Sequence, residues 1–371
     1  MTPPAPRKVI VVGGGIIGVS TAYFLSHHPS SPSVTIIEAS SIASGASGKA
    51  GGLLALDWHT SDTASLARLS YHLHASLAEQ YSGYQRWGYR ELHTLEISCE
   101  EDDGGSNPAG QPVPPGDSRQ NSIPSWVRSR TVKSSRSLGT PKTTAQIHPE
   151  HFCRAILQES KNVTMVAGYV TKIIADKKPL AAVEVAVEGN VSVIDADVVV
   201  VAAGPWTSTL LPVIPVSSQR AHSITVRTTS QVSPHALFTN VKMRSGSIVT
   251  PEIYPRINEV YACGDIDDLV PLPKLAKDVQ VDQQRCKDIA KNASIVSELF
   301  QEGEITSTQA EIGPGPSIGW VPGMSNVAVA AGHGCWGICN GPGTGKVMSE
   351  LICEGKIMSA NTQSLDPSQY I

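Results

Sequence analysis

The chain has 371 residues, with 29 lysines and arginines against 33 acids and a formal net charge of −4. That length allows two domains or one interleaved pair, and the near balance of charge excludes the basic surface that general nucleic-acid binding needs. No apolar run approaches the roughly 18 residues that span a bilayer, and seven scattered cysteines without paired spacing point to free thiols in a reducing compartment.

KVIVV (8–12) is a short apolar run typical of a strand buried on both faces. No apolar leader core precedes it, so the cytoplasm is the expected location. GGGIIGVSTAYFLSHH follows with helical spacing at Ile17, Thr21, Phe24 and Leu25, and SVTIIEAS (33–40) reads as a second buried strand. Together they form a β-α-β unit. Inside it Gly13, Gly15 and Gly18, with Ile16 and Ile17 between, satisfy G-x-G-x-x-G, and Glu38 stands twenty residues past Gly18. Each glycine has its own reason. Gly13 permits the tight turn, Gly15 lets a pyrophosphate approach the backbone, and Gly18 lets helix and strand pack closely. The helix start offers unpaired N–H groups and partial positive charge to the phosphates. Glu38 can accept from a ribose diol and disfavours a 2′-phosphate. SSIASGASGKAGG comes next, a second glycine- and serine-rich loop in which Ser44 and Ser47 could wrap the far side of the pyrophosphate.

Apolar spacing predicts a helix over 65–80. Residues 102–125 are rich in Gly, Pro and Ser and read as a mobile loop that could recruit a protein partner. A short helix is expected within 148–160, three strands between 165 and 204, further strands over 216–263, and a helix at 282–301. VAVAAGHGCWG supplies a late strand, and a closing helix is expected over 345–355. Just before it, NGPGTGKVMSE (340–350) imitates a phosphate loop. Asn340 stands where the first glycine should be and Val347 where the magnesium-binding hydroxyl should be, so a triphosphate site is not expected.

The two N-terminal loops, read with VVVVAAGPWTSTLL (198–211) and VAVAAGHGCWGICNGPGTGKVMSELICEGK (327–356), resemble the D-amino-acid oxidase/glycine oxidase/sarcosine oxidase superfamily of FAD enzymes. GGLLALDW (51–58), 69–92 and 250–268 are similar to a fungal branch of FAD-dependent oxidoreductases. The resemblance implies an α/β fold: a doubly wound FAD domain (1–88, 143–215 and 315–371) interleaved with a mostly antiparallel α+β substrate domain (89–142 and 216–314). It implies non-covalent FAD, since 308–323 holds no cysteine. Beyond the first motif, the implied contacts are Ala39, Gly45, Gly51, Gly52, Leu53, Val170, Ala203, Gly204 and Trp206. The loop Gly332, His333, Gly334, Cys335, Trp336, Gly337 and Ile338 would meet the flavin. Gly341, Gly343 and Gly345 would be close-approach positions serving the flavin, with Lys346 solvated.

The implied activity is oxidation of the C–N bond of a small amine or amino acid by hydride transfer to flavin N5, with oxygen as acceptor; a dehydrogenase stays open. Such chemistry demands no acid–base triad. Trp58 and His59 could form the pocket floor or cap the core. Tyr254 and Arg256 lie in the implied substrate domain, where an arginine fork would suit a carboxylate, against a solvated surface arginine. Arg220 and His222 could be structural, and His333 reads as a packing residue rather than a base. Cys335 could be redox-active, whereas Cys335 and Cys339 alone do not complete a metal site; no metal is expected. Two other readings are a flavin-carrying interaction protein and an NAD-dependent dehydrogenase.

Overall fold

The computed structural model describes residues 6–102, 123–175, 180–228, 232–312 and 316–371. The 102–125 loop falls almost wholly outside them, as does part of 308–323.

Six strands make the central sheet, in the order Ser317–Trp320, Val327–Ala331, Val198–Val201, Lys8–Val12, Ser33–Glu38, Val163–Ala167; all pairs are parallel except the first. The runs KVIVV, VVVV and VAVAA are apolar throughout because both faces are covered. Val9, Val11, Val198, Val200, Ala328 and Ala330 point to one core, with Ala22 and Leu25 of the first helix and Val347 and Met348 of the last. Their alternates Ile10, Val12, Val199, Val201, Val327 and Val329 point to a second core beneath the three-stranded sheet of Tyr169–Ile174, Ala181–Val187 and Asn190–Ala196. Each such side chain removed from water contributes about 1.5–3 kcal/mol.

The second large sheet is built around Arg220–Arg227, Glu259–Asp267, Glu252–Pro255, His235–Lys242 and His93–Glu100. It is antiparallel apart from the pair His235–Lys242 with His93–Glu100. The helix Gln283–Val296, capped by Asp282 Oδ1 accepting from Gln284 N (2.9 Å), buries Cys286, Ile289, Ala293 and Val296 on its outer face. The expected helix over 282–301 is thus two pieces, with Leu299–Glu302 the second. The inner face of the sheet looks toward the cofactor-side elements.

The closing helix departs most from expectation. It runs Gly337–Glu354 and contains the whole NGPGTGK run. A Cβ on Gly341 would stand 2.6 Å from Ile16 Cγ1, on Gly343 2.8 Å from Ser70 Cβ, and on Gly345 2.4 Å from the Ser20 carbonyl carbon. These are close-approach positions, but against the helices Ile16–Ser26 and Ser61–Gln80 rather than a flavin, and within a helix rather than a loop. Lys346 is not freely solvated: its Nζ lies 3.2 Å from the buried Glu350 carboxylate.

Pro342 has no N–H, and its ring displaces the carbonyl four residues back, that of Ile338. His74 Nε2 donates to that carbonyl (2.9 Å), and Gly343 N–H donates to Ser70 Oγ (2.8 Å). The break in one helix is therefore filled by side chains of another. Gly345→Ala should lower the free energy of unfolding by about 1–3 kcal/mol through overpacking against Ser20 backbone, despite the roughly 1 kcal/mol that alanine gains in helix propensity. An unchanged urea midpoint would show that the two helices separate at no cost.

Candidate cofactor and active site

A cavity of about 490 Å³ opens at the carboxyl ends of the strands Lys8–Val12, Val198–Val201 and Val327–Ala331, the usual position for ligands in such sheets. Of the sequence-predicted residues, Gly13, Gly15, Ile16, Ile17, Glu38, Ala39, Ser44, Gly45, Ser47, Val170, Ala203, Gly204 and Trp206 line it, as do Gly332, His333, Gly334, Cys335, Gly337 and Ile338. Gly18, Gly51, Gly52, Leu53 and Trp336 stand behind this lining. A Cβ on Gly18 would lie 2.0 Å from Gly13 O, so Gly18 serves helix–strand packing. Gly51 abuts the Tyr254 ring and Gly52 abuts Ile147 O. Leu53 pairs in register with Gln146.

The turn at Gly13 (φ +109°) admits only glycine comfortably. It aims the start of helix Ile16–Ser26 at the cavity, and its N-cap residue, Gly15, has no side chain of its own to cap it. Both oxygens of Glu38 hold the turn, accepting from Gly14 N and Ser40 N at 2.7 Å each. The second loop folds back over the first: Ala43 N donates to Gly14 O (3.0 Å), and Ser47 Oγ accepts from Ile16 N (2.9 Å). Ser47 therefore steadies the helix start as well as facing the cavity. These features fit FAD: a helix start with glycine at its N-cap for a pyrophosphate, a carboxylate for a ribose diol, and Gly204, where an added Cβ would meet nothing within 4 Å. At the other end His333 is buried, with Nε2 2.9 Å from Thr344 Oγ1, and burial lowers its pKa to about 4. It is a neutral packing group.

Sequence reading missed a strap from the other sheet. Lys274, Leu275 and Ala276 line the cavity, Lys274 Nζ sits 4.7 Å from the Tyr169 ring centroid, and Trp206 Nε1 donates to the Pro273 carbonyl (2.6 Å). Only the prolines of PLPK, which hold that segment extended, hinted at it.

Next to Cys335 and Ile338 stands an aromatic wall. Trp58 meets Trp336 edge-on at 6.4 Å and Phe238 at 5.5 Å, and His59 lies 4.2 Å from Trp336. Trp58 and His59 thus pack on the cofactor-side loop. Burial lowers the pKa of His59, whose Nε2 is 3.8 Å from Cys339 Sγ. Cys335 is exposed, whereas Cys339 is buried and its thiol is pushed up to about 12. Arg256 corrects both alternatives drawn for it. It is 5% exposed, bonded to Glu259 and to Ala50 O (2.7 Å), so it is neither solvated nor a free fork. Tyr254 is also buried, and its hydroxyl donates to Glu252. Arg220 is structural: it pairs with Asp267 (3.0 Å) and donates to the Gln280 carbonyl (2.9 Å). His222 Nε2 accepts from Asp282 N (3.2 Å).

Comparison with known proteins bears on this geometry. The DAO family model, FAD dependent oxidoreductase, matches residues 8–351. Two fungal proteins whose names class them provisionally as oxidoreductases are similar along their length. C1F5.03c of Schizosaccharomyces pombe is 40% identical, covering 97% of this chain and 98% of its own. TDA3 of Saccharomyces cerevisiae is 30% identical, covering 98% and 95%. Among solved structures, glycine oxidase from Geobacillus kaustophilus superposes with a TM-score of 0.74 at 20% identity over 98% of this chain and 100% of that one. At that identity the likeness is one of fold, and it matches the expected pairing of a parallel sheet with a mostly antiparallel one.

Removing the Glu38 carboxylate deletes the turn clamp and the diol acceptor together. Glu38→Ala should weaken FAD binding by about 10–100-fold, the size expected for lost charge-assisted hydrogen bonds, as read by flavin fluorescence quenching on titrating apoprotein. An unchanged affinity would place the ribose elsewhere.

His74 and His333 give a second outcome. Both are buried with pKa lowered to about 4 from 6.5, so the unfolded chain takes up their protons first. Their contribution is complete above about pH 6.5 and is lost as pH falls toward 4, on the order of 3 kcal/mol for each. Chemical denaturation at pH 7.5, 6 and 5 reads it, and a flat profile would mean that both titrate normally.

Proposed function

On the premise that this chain belongs to the DAO family of FAD-dependent oxidoreductases, we propose that it oxidises the C–N bond of a small amine or amino acid, using non-covalent FAD and oxygen. The observation that carries the reading is the continuity of one cavity, from the Glu38 carboxylate at one end to Cys335 and Ile338 beside the aromatic wall at the other. The glycine oxidase of the same fold acts, by its name, on an amino acid, which supports an amine as substrate.

Held by the Gly13–Ile17 turn and Glu38, FAD would supply the redox chemistry there, the two-electron oxidation of an amine to an imine with oxygen reduced to hydrogen peroxide. The protein's share is binding, orientation and exclusion of water. The Gly13–Ile17 turn and Glu38 anchor the dinucleotide end. His333, locked neutral by burial against Thr344, fixes the turn that presents Cys335 to Ile338 to the cavity. The start of the closing helix at Gly337 carries no side-chain cap, so its partial positive charge favours electron density gathering nearby. Trp58, Phe238 and Trp336 keep the adjoining recess apolar, which strengthens electrostatic contacts within it. Cys335 is the one cysteine among the described residues lining the cavity, and the oxidase reading asks no redox step of it.

The purified protein should show an oxidised flavin band that pooled amines or amino acids bleach without oxygen and that air restores. Acid precipitation should release all the flavin into solution. A band that no pool bleaches would sink the C–N oxidation reading, and flavin retained in the pellet would mean a covalent bond, with Cys335 the first residue to replace.

A further inference from the structure

The inner face of the antiparallel sheet carries a largely buried acid, Glu252. Phe238, Glu252 and Cys263 stand side by side in register on three neighbouring strands, so their side chains share a face. Phe238 on that face meets Trp58. Tyr254, two residues along from Glu252, packs on the Gly51 backbone, where an added Cβ would fall 2.2 Å from its ring. Glu252 is thus joined to the Gly332–Ile338 turn through a chain of contacts: its cross-strand neighbour Phe238 meets Trp58, and Trp58 meets Trp336 of that turn. Its Oε2 accepts from the Tyr254 hydroxyl and from Cys263 Sγ (3.7 Å).

Among the described residues no cation pairs with Glu252, and its burial raises its pKa above the usual carboxylate range. The arginines flanking the face are all engaged. Arg256 serves Glu259 and Ala50 O, with its guanidinium 5.0 Å over the Tyr261 ring. Arg220 serves Asp267 and the Gln280 carbonyl. Arg90 donates to the carbonyls of Val232 and Pro255. Among the described residues of this face a substrate carboxylate would find no free guanidinium fork and would meet a second carboxyl group, whose ionised form it would oppose. An ammonium would meet the reverse: a buried carboxyl group with no cation beside it among the described residues, next in register to the Phe238 ring that Trp58 packs on.

We infer that the pocket between this face and the Gly332–Ile338 turn selects an amine that carries no carboxylate, with Glu252 holding its ammonium group. The inference rests on the amine-oxidation reading and narrows it to one substrate class.

Two pairs of inert probes test it on the FAD-loaded protein: benzamidine against benzoate, and the smaller acetamidine against acetate. Within each pair the shape is shared and only the charge is reversed, and neither member is oxidised. The readout is perturbation of the visible flavin band. A cationic probe should shift the band saturably, its anion should need at least tenfold more, and Glu252→Gln should weaken the cation at least tenfold while keeping the acceptor for Tyr254. Preference for the anion, no shift by either pair, or a cation shift indifferent to Glu252→Gln would each overturn the inference. If Glu252→Gln fails to fold, the cation–anion preference of the unaltered protein still decides. Anaerobic bleaching separates this outcome from the reading beneath it. Cation binding through Glu252 with no amine able to bleach the flavin would keep the recognition and reject C–N oxidation. Bleaching by amino acids but not by simple amines would do the opposite.

Discussion

The structure hangs on one helix–helix contact. Gly341 and Gly345 let the closing helix lie against the helix that follows the first strand, closely enough that Ile16 and Ser20 occupy the space of absent side chains. That contact brings the Gly332–Ile338 turn beside the Gly13–Ile17 turn, and the cavity is the gap between them. The helix achieves it with a proline in its middle. The interrupted ladder would leave the Ile338 carbonyl, at the cavity wall, without its helical donor; His74 supplies one from a third helix, and Ser70 engages the next amide. A buried polar group of this kind is costly unless it is matched, which ties three segments to a single geometry.

How much could be read from the chain alone follows from how local each constraint is. The Gly13–Gly18 motif and Glu38 were legible because turn, helix start and acceptor lie within one β-α-β unit, where spacing fixes geometry. The continuous valine runs announced strands covered on both faces for the same reason. NGPGTGK lies inside a helix, and its glycines face neighbouring helices rather than the flavin that the resemblance implies. A glycine shows that something comes close, while what comes close lies more than three hundred residues away at Ile16 and Ser20. Arg256 fits neither the carboxylate fork nor the solvated arginine, because Glu259 three residues on and the distant Ala50 carbonyl together allow it to be buried. Glu252 escaped notice because a single acid in a strand looks like any solvated acid until its neighbours Phe238 and Cys263 are known. The strap carrying Lys274 has no periodicity to betray it.

The electrostatics of the site are those of groups kept uncharged. His333 and His59 have lowered pKa values and the Cys339 thiol a raised one, each chiefly through burial. Burial thus favours the uncharged form of all three. A wall of neutral groups is a consistent setting for redox chemistry in which the protein need not trade protons with the reacting bond, and it leaves Glu252 as the unpaired acid of the opposite face.

The join between the first and last helices also bears on how the molecule comes into being. The walls of the cavity are residues 13–17 at one extreme of the chain and 332–338 at the other. During synthesis the amino-terminal strand and helix leave the ribosome with Ile16 and Ser20 lacking Gly341 and Gly345, and that side of the helix waits until more than three hundred further residues have followed. The cavity cannot close on a nascent fragment, because the Ala330–Ile338 side of its lining has not yet been translated. Contacts of such separation are slow to close, and the interval is one in which an apolar helix face is open to chaperones or to misassembly.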